Sequence, residues 1–167
     1  MTEDELKRYL LSYLAKDFIV RSEVEGRFLV DGSGVVIDYL IYPKQNLIEH
    51  GFVAKWFGTE VKSPDNEGAK KGIQVAWQAI TYSQSEFESI RPAFVLILPP
   101  LAEFFGSQFE AYHVLCLLQK ANVGYIEINS VKKTWKIKFG ANVYLYSDRG
   151  LSKTPNISTK QHIGSWK

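Results

Sequence analysis

Two carboxylates and a lysine lie where strand alternation could bring them together. Asp38 sits inside the apolar run Val35–Tyr42, and Glu60-Val61-Lys62 closes another strand-like run further on. Residues two apart on a strand share a face, so Glu60 and Lys62 project together. The same alternation puts Asp38 on the face of Val36 and Leu40. A lone carboxylate there is costly unless it is paired or holds a cation. If the two strands are neighbours, two carboxylates and one ammonium converge at the edge of a sheet. Carboxylate oxygens that leave room for water are what magnesium prefers, with manganese as a substitute. The lysine would orient or help deprotonate a metal-bound water, and the resulting hydroxide could attack a phosphodiester in line. Gln78 and Tyr82, i and i+4 on a following helix, stack an amide and a phenol on one face, with Gln74 one turn earlier. That face could orient the lysine, the metal water or a backbone phosphate.

Other chemistry-bearing patterns are missing. His50, His113 and His162 are too scattered for a paired zinc motif. There is no Gly-x-x-x-x-Gly-Lys phosphate loop, and Gly32-Ser33-Gly34 lacks the third glycine of a dinucleotide fingerprint. A single cysteine, Cys116, rules out an internal disulfide framework, and its apolar run Val114–Leu118 points to a buried, inert thiol. Lys70 and Lys71 fit either a solvated helix face or a DNA contact. Trp56 shares the strand face of Gly58 and Glu60 and is expected to pack in the core rather than stack on a base. Tyr39 and Tyr42 bracket the site, with Tyr39 pointing away from Asp38.

The elements that must position these residues follow from the apolar periodicity. Thr2 and Glu5 form a capping box that opens a helix through about Asp17, with Leu6, Tyr9, Leu10, Tyr13 and Leu14 on one stripe. Two strands, Phe18–Val30 and Val35–Tyr42, are joined by Asp31-Gly32-Ser33-Gly34, a tight hairpin turn. Pro43 to Gly51 is expected as a loop, and Phe52–Lys62 as a third strand broken by Ser63-Pro64-Asp65-Asn66. A helix starting at Asn66 or Glu67 runs to about Ser89, with Ile73, Val75, Ala76, Ala79, Ile80 and Phe87 as its apolar positions. Phe94–Leu98 is a strand covered on both faces. A short helical piece near Leu101–Phe105, a helix over Gln108–Ala121, and strands near Gly124–Ile128, Thr134–Phe139 and Asn142–Tyr146 complete the order. This is an α/β fold with a mixed central β-sheet flanked by helices.

Composition agrees with one folded unit. The chain has 167 residues, of which 46% are hydrophobic and 23% charged, close to an ordinary domain. The net charge of +2 neither demands nor excludes nucleic acid. No apolar stretch approaches the ~20 residues of a membrane helix, and the acidic start Met1-Thr2-Glu3-Asp4-Glu5 is unlike a secretory signal. The expectation is a cytoplasmic protein with a single domain over 1–147. A basic tail, 148–167, is expected to be flexible or to dock only with a partner, Lys153 and Lys160 being candidates for phosphate contact.

Asp38, then Glu60-Val61-Lys62, then Gln78-Ala79-Ile80-Thr81-Tyr82 resembles the PD-(D/E)xK nuclease superfamily, and the Gln-x-x-x-Tyr element looks like its RecB-like branch. The resemblance covers roughly residues 1–128, including the order helix, three strands, helix, strand. It departs from the family motif at Ile37, which stands in place of proline before Asp38, a position at which many members vary. It implies a restriction-endonuclease-like core and a magnesium-dependent nuclease acting on DNA, leaving RNA open. It further implies that Asp38 and Glu60 hold the metal and that the Val61 carbonyl adds a ligand. Lys62 would then assist the attacking water, with Gln78 and Tyr82 completing the site. An upstream acid is expected on the first helix or strand; of the strand candidates Glu23 and Glu25, Glu23 is favoured. Nucleic-acid contacts fall to Lys70, Lys71, Lys153 and Lys160. The small size suits an enzyme of a phage or mobile element, a homodimer, or a subunit of a larger complex. Two alternatives are a nucleic-acid-binding protein on the same fold with weak or lost catalysis, and an interaction module without metal.

Overall fold

In the computed structural model the chain begins with α1 (Glu3–Asp17). Its start is chemical: Thr2 accepts from the Glu5 backbone N–H while Glu5 accepts from that of Thr2, the capping box read from the sequence. Strands β1 (Phe18–Phe28) and β2 (Gly34–Pro43) form an antiparallel hairpin. At its tip Gly32 has φ of 77°, which glycine adopts without strain, and Asp31 accepts from the Ser33 N–H and hydroxyl. A short α2 (Gln45–Glu49) and an aromatic loop lead to β3 (Phe57–Val61). Then follow α3 (Gly68–Ser83), β4 (Ser85–Phe87), β5 (Phe94–Leu98), a 3-10 turn at Leu101–Glu103, α4 (Gln108–Lys120), β6 (Val123–Asn129), β7 (Thr134–Phe139), β8 (Asn142–Ser147) and β9 (Gly150–Pro155). The structure describes residues 1–64, 67–139, 142–147 and 150–155. Among them no helix is long and apolar enough to cross a membrane.

Among the described residues nine strands make one mixed sheet in the order β4-β1-β2-β3-β5-β6-β7-β8-β9, parallel at β3–β5 and β5–β6 and antiparallel elsewhere. The α/β class and the mixed sheet with flanking helices are as expected. Each face carries its own core. Leu96 and Leu98 of β5 join Leu10 and Leu14 of α1, Phe57 and Trp135 on one side. Val95 and Ile97 turn the other way, to Val75, Ala79 and Tyr82 of α3. All four β5 residues are at most 3% exposed, as a strand covered on both faces requires. Burying each such side chain contributes about 1.5–3 kcal/mol.

Several boundaries differ from the sequence reading. The Pro43–Gly51 loop contains α2, a five-residue helix with no side-chain cap to announce it. The third strand starts at Phe57, not Phe52, because Phe52 packs edge-on against Phe18 and Phe57 instead of extending a ladder. Helix α3 ends at Ser83, and Phe87 lies in β4, paired with Gly26 of β1. Within α3 the buried stripe is Gly72, Val75, Ala76, Ala79 and Tyr82; Ile73 is 52% exposed and Ile80 sits at the margin. The sheet also continues past residue 147, since β9 pairs with β8 through backbone hydrogen bonds that need no apolar period. Residues 156–167, including Lys160 and His162, lie outside the described residues.

Candidate active site at the end of β3

The site sits where β2 and β3 part company. The β2–β3 register pairs Ile41 with Phe57, Leu40 with Gly58 and Tyr39 with Thr59. The ladder ends there, with Asp38 and Glu60 the next residue of each strand, and the Asp38 charge is felt at Glu60. Here the Asp38 side chain, not the β2 backbone, serves β3: its Oδ2 accepts from the Val61 N–H at 2.8 Å. An orphaned backbone donor is thereby satisfied as the ladder ends.

Strict alternation fails at this point. Ile37 leans over Gly58 toward the α3 core, whereas Tyr39 and Ile41 pack on the α1 side. The β1–β2 ladder skips the Glu23–Asp38 pair, and Glu23 has φ of 49°, a left-handed conformation unusual for glutamate. Asp38 therefore does not simply share the face of Val36 and Leu40: Val36 is exposed, Leu40 is buried, and Asp38 lies between β3 and α1.

Lys7 of α1 donates to Asp38 Oδ1 at 2.6 Å, and Tyr39 donates its hydroxyl proton to the Lys7 carbonyl. Lys62 reaches Glu3, also on α1, at 3.4 Å. Glu3 is thus the acid that the first helix supplies to the cluster. Glu23 and Glu25 are exposed on β1. The signal for Glu3 and Lys7 was present in their spacing: they continue the buried line of Leu10 and Leu14 toward the helix start. Charged residues on a core-facing stripe require an explanation. In the sequence their charges were absorbed by the helix-start chemistry of Glu3, Asp4 and Glu5.

Glu60 is the least comfortable group. It is 5% exposed, and among the described residues no hydrogen bond or ion pair reaches its carboxylate. Burial, then the charge of Asp38, push its pKa up to about 8, against the opposing pull of Lys62 and Lys7. On the α3 side, Tyr82 is buried, and burial with the charges of Glu60 and Asp38 raises its phenol well above the usual range. The neighbouring Gln78 amide is the one influence lowering it, while Gln78 Oε1 is buried without a partner. The structure thus brings Asp38, Glu60, Lys62, Gln78 and Tyr82 to one end of β3.

The remaining candidates fall elsewhere. Lys70 is exposed and paired with Glu67 at 3.3 Å, and Lys71 lies beside it, half-buried, in the first turns of α3. Lys153 belongs to β9. Trp56 packs on Tyr42 and under the Arg21 guanidinium, in keeping with its expected packing role. His50 and His113 each bond a carbonyl of their own helical turn. Among the described residues no three His, Cys, Asp or Glu side chains are grouped to hold a metal.

Comparison of the chain with protein-family models, curated proteins and solved structures returned no match.

Proposed function

We propose that the chain is a magnesium-dependent deoxyribonuclease with a restriction-endonuclease-like core, its site built on Asp38, Glu60 and Lys62. The carrying observation is Glu60: a buried carboxylate with no hydrogen bond, beside a second carboxylate, two residues before a lysine. A divalent cation supplies what that arrangement lacks, positive charge between two carboxylates and an acidified water. Asp38 and Glu60 would hold such an ion. The Lys7 ammonium already stands on Asp38 Oδ1 as a cation would. With only two clustered carboxylates, water and a backbone carbonyl such as that of Val61 would fill out the shell. The order α1, β1–β3, α3, β5, with β3 parallel to β5, supports the same reading, since open sheets bind ligands at the carboxyl ends of their parallel strands.

In this reading Lys62, held by Glu3, moves a proton at the attacking water. Tyr82, with Gln78 beside it, keeps its own proton for donation toward phosphate or carboxylate. Lys70, Lys71 and Lys153 would meet the DNA backbone. The Lys7–Asp38 pair favours one second reading, a nucleic-acid-binding protein in which an ammonium replaces the metal and catalysis is weak or lost. The test is cleavage of plasmid and linear DNA with magnesium, manganese or EDTA. Metal-dependent cutting that disappears in Asp38→Ala and Glu60→Gln supports the nuclease. Salt-sensitive binding with no cutting in either metal selects the second reading.

A further inference from the structure

The outer stripe of α3 carries apolar surface that neither core uses. Ile73 is 52% exposed and Trp77 is 73% exposed. With Val35 of β2 they wall an open groove of about 470 Å³. Lys70 lines one end, and Gln78 and Tyr82 line the other. The groove therefore runs from a cation to Gln78 and to Tyr82, whose phenol feels the charge of Glu60. A flat indole turned to solvent in such a place is unusual for a helix whose other face already packs on the sheet.

We propose that this groove binds the unpaired bases of a single-stranded nucleic acid, with Trp77 as the stacking platform and Lys70 on the backbone. Three features favour this occupant. The volume lies in the range of sites for ring-sized ligands, whereas a helix of a partner protein needs a longer trough. The groove pairs an aromatic face with a cation seven residues away, about 10 Å along the helix axis, the combination that single-strand sites use. It is also continuous with the candidate active site through Gln78 and Tyr82. A base within a duplex already stacks on its neighbours and offers only its edges, so an indole face selects unpaired nucleotides. That the groove feeds a cleavage site rests on the nuclease reading; that it binds single strands does not.

The test is binding in EDTA, where no metal-dependent cutting intervenes. Anisotropy of labelled oligo-dT, a blunt hairpin duplex and an abasic oligonucleotide would be measured for the full chain and for Trp77→Ala and Trp77→Phe. Trp77→Ala should weaken oligo-dT binding about tenfold, as loss of one stacked base does. Trp77→Phe should recover most of it, and the duplex and abasic probes should shift by less than twofold. Should Trp77→Ala fold poorly, Trp77→Phe and protection of wild-type tryptophan fluorescence from acrylamide by oligo-dT carry the test. Unchanged oligo-dT affinity, equal losses on all three probes, or no oligo-dT binding by the wild type would overturn the proposal. So would a wild-type dimer that Trp77→Ala converts to monomer, since the groove would then be a self-interface. Trp77-dependent binding without cleavage in magnesium would retain the groove and remove the nuclease reading. Cleavage with Trp77-independent binding would do the reverse.

Discussion

Asp17 and Glu60 are both buried carboxylates, one near each end of α1, and they are treated in opposite ways. Asp17 is 3% exposed, yet Trp135 Nε1 donates to one oxygen at 3.1 Å and Asn46 to the other at 3.4 Å. Around it Phe18, Phe52 and Trp135 pack edge to face. Glu60 is equally buried and receives no such donor, only the fields of Lys62 and Lys7. A satisfied buried charge belongs to the architecture. One held without a hydrogen bond beside a second carboxylate is where the proposed cation would act. The same contrast divides the molecule: an aromatic core at one end of α1, and a polar junction at the other.

The sharpest way to break this comparison is to remove the site carboxylates. Asp38→Ala and Glu60→Ala should each lower cleavage by on the order of a hundredfold or more while the protein stays folded. Asp17→Ala should do the opposite. It removes the Asp17 oxygen that accepts from the Trp135 N–H and should cost about 1–3 kcal/mol in urea unfolding, with activity per folded molecule retained. Cleavage lost in Asp17→Ala but kept in Glu60→Ala would invert the assignment.

Lys62→Ala comes next. If the ammonium serves the attacking water, turnover should fall at least about tenfold while DNA affinity changes little, since a group used in the transition state shows in kcat. Equal losses in both would make Lys62 a phosphate contact.

A third test concerns stability without metal. The Glu60 carboxyl is raised in the folded protein, from the ordinary glutamate value to about 8. Between those values the folded state holds a proton that the unfolded state has released. The contribution of this group is therefore fully present below the ordinary glutamate value and is lost as pH rises toward 8. In EDTA, the urea midpoint of the wild type should fall between pH 5 and pH 8 relative to Glu60→Gln, which carries no such charge. Saturating magnesium should narrow the gap, because an ion bound only to the folded state stabilises it. A constant difference across that range would mean that Glu60 is not held in a charge-hostile environment.

What the sequence disclosed follows from how local each signal is. The capping box at Thr2 and Glu5, the glycine turn at Asp31–Gly34 and the uninterrupted apolar β5 depend on neighbouring residues, and all three are found in place. The pairing of Asp38 with the end of β3 was legible because strand order and composition bring the two runs together. The break in alternation at Asp38 was not, since it depends on Glu23 adopting positive φ in the adjacent strand. Nor was the exposure of Ile73 and Trp77, because helical periodicity locates an apolar stripe but not the element that fails to cover it. Strand β4 was hidden for a related reason: Phe87 continues the helical spacing, and only its pairing with Gly26 of β1 draws it into the sheet.

The smallest expected effect separates packing from chemistry within one residue. The Tyr82 ring is buried and lies edge-on to Phe87, with centroids 6.0 Å apart, so the ring belongs to the α3 core. Its hydroxyl points to different company. Gln78 lies beside it, and burial, then the charges of Glu60 and Asp38, push its pKa up. Tyr82→Phe keeps the ring and removes only that hydroxyl. Cleavage should drop by about fivefold, roughly the net worth of one hydrogen bond in the transition state. The thermal midpoint should move little. Gln78→Ala should cost more, because it removes a whole amide beside Tyr82, including a buried oxygen without a partner that is free to serve the site. Activity unchanged in Tyr82→Phe, with a large fall in midpoint, would place the hydroxyl with the architecture that Asp17 represents, leaving Glu60 without support from α3.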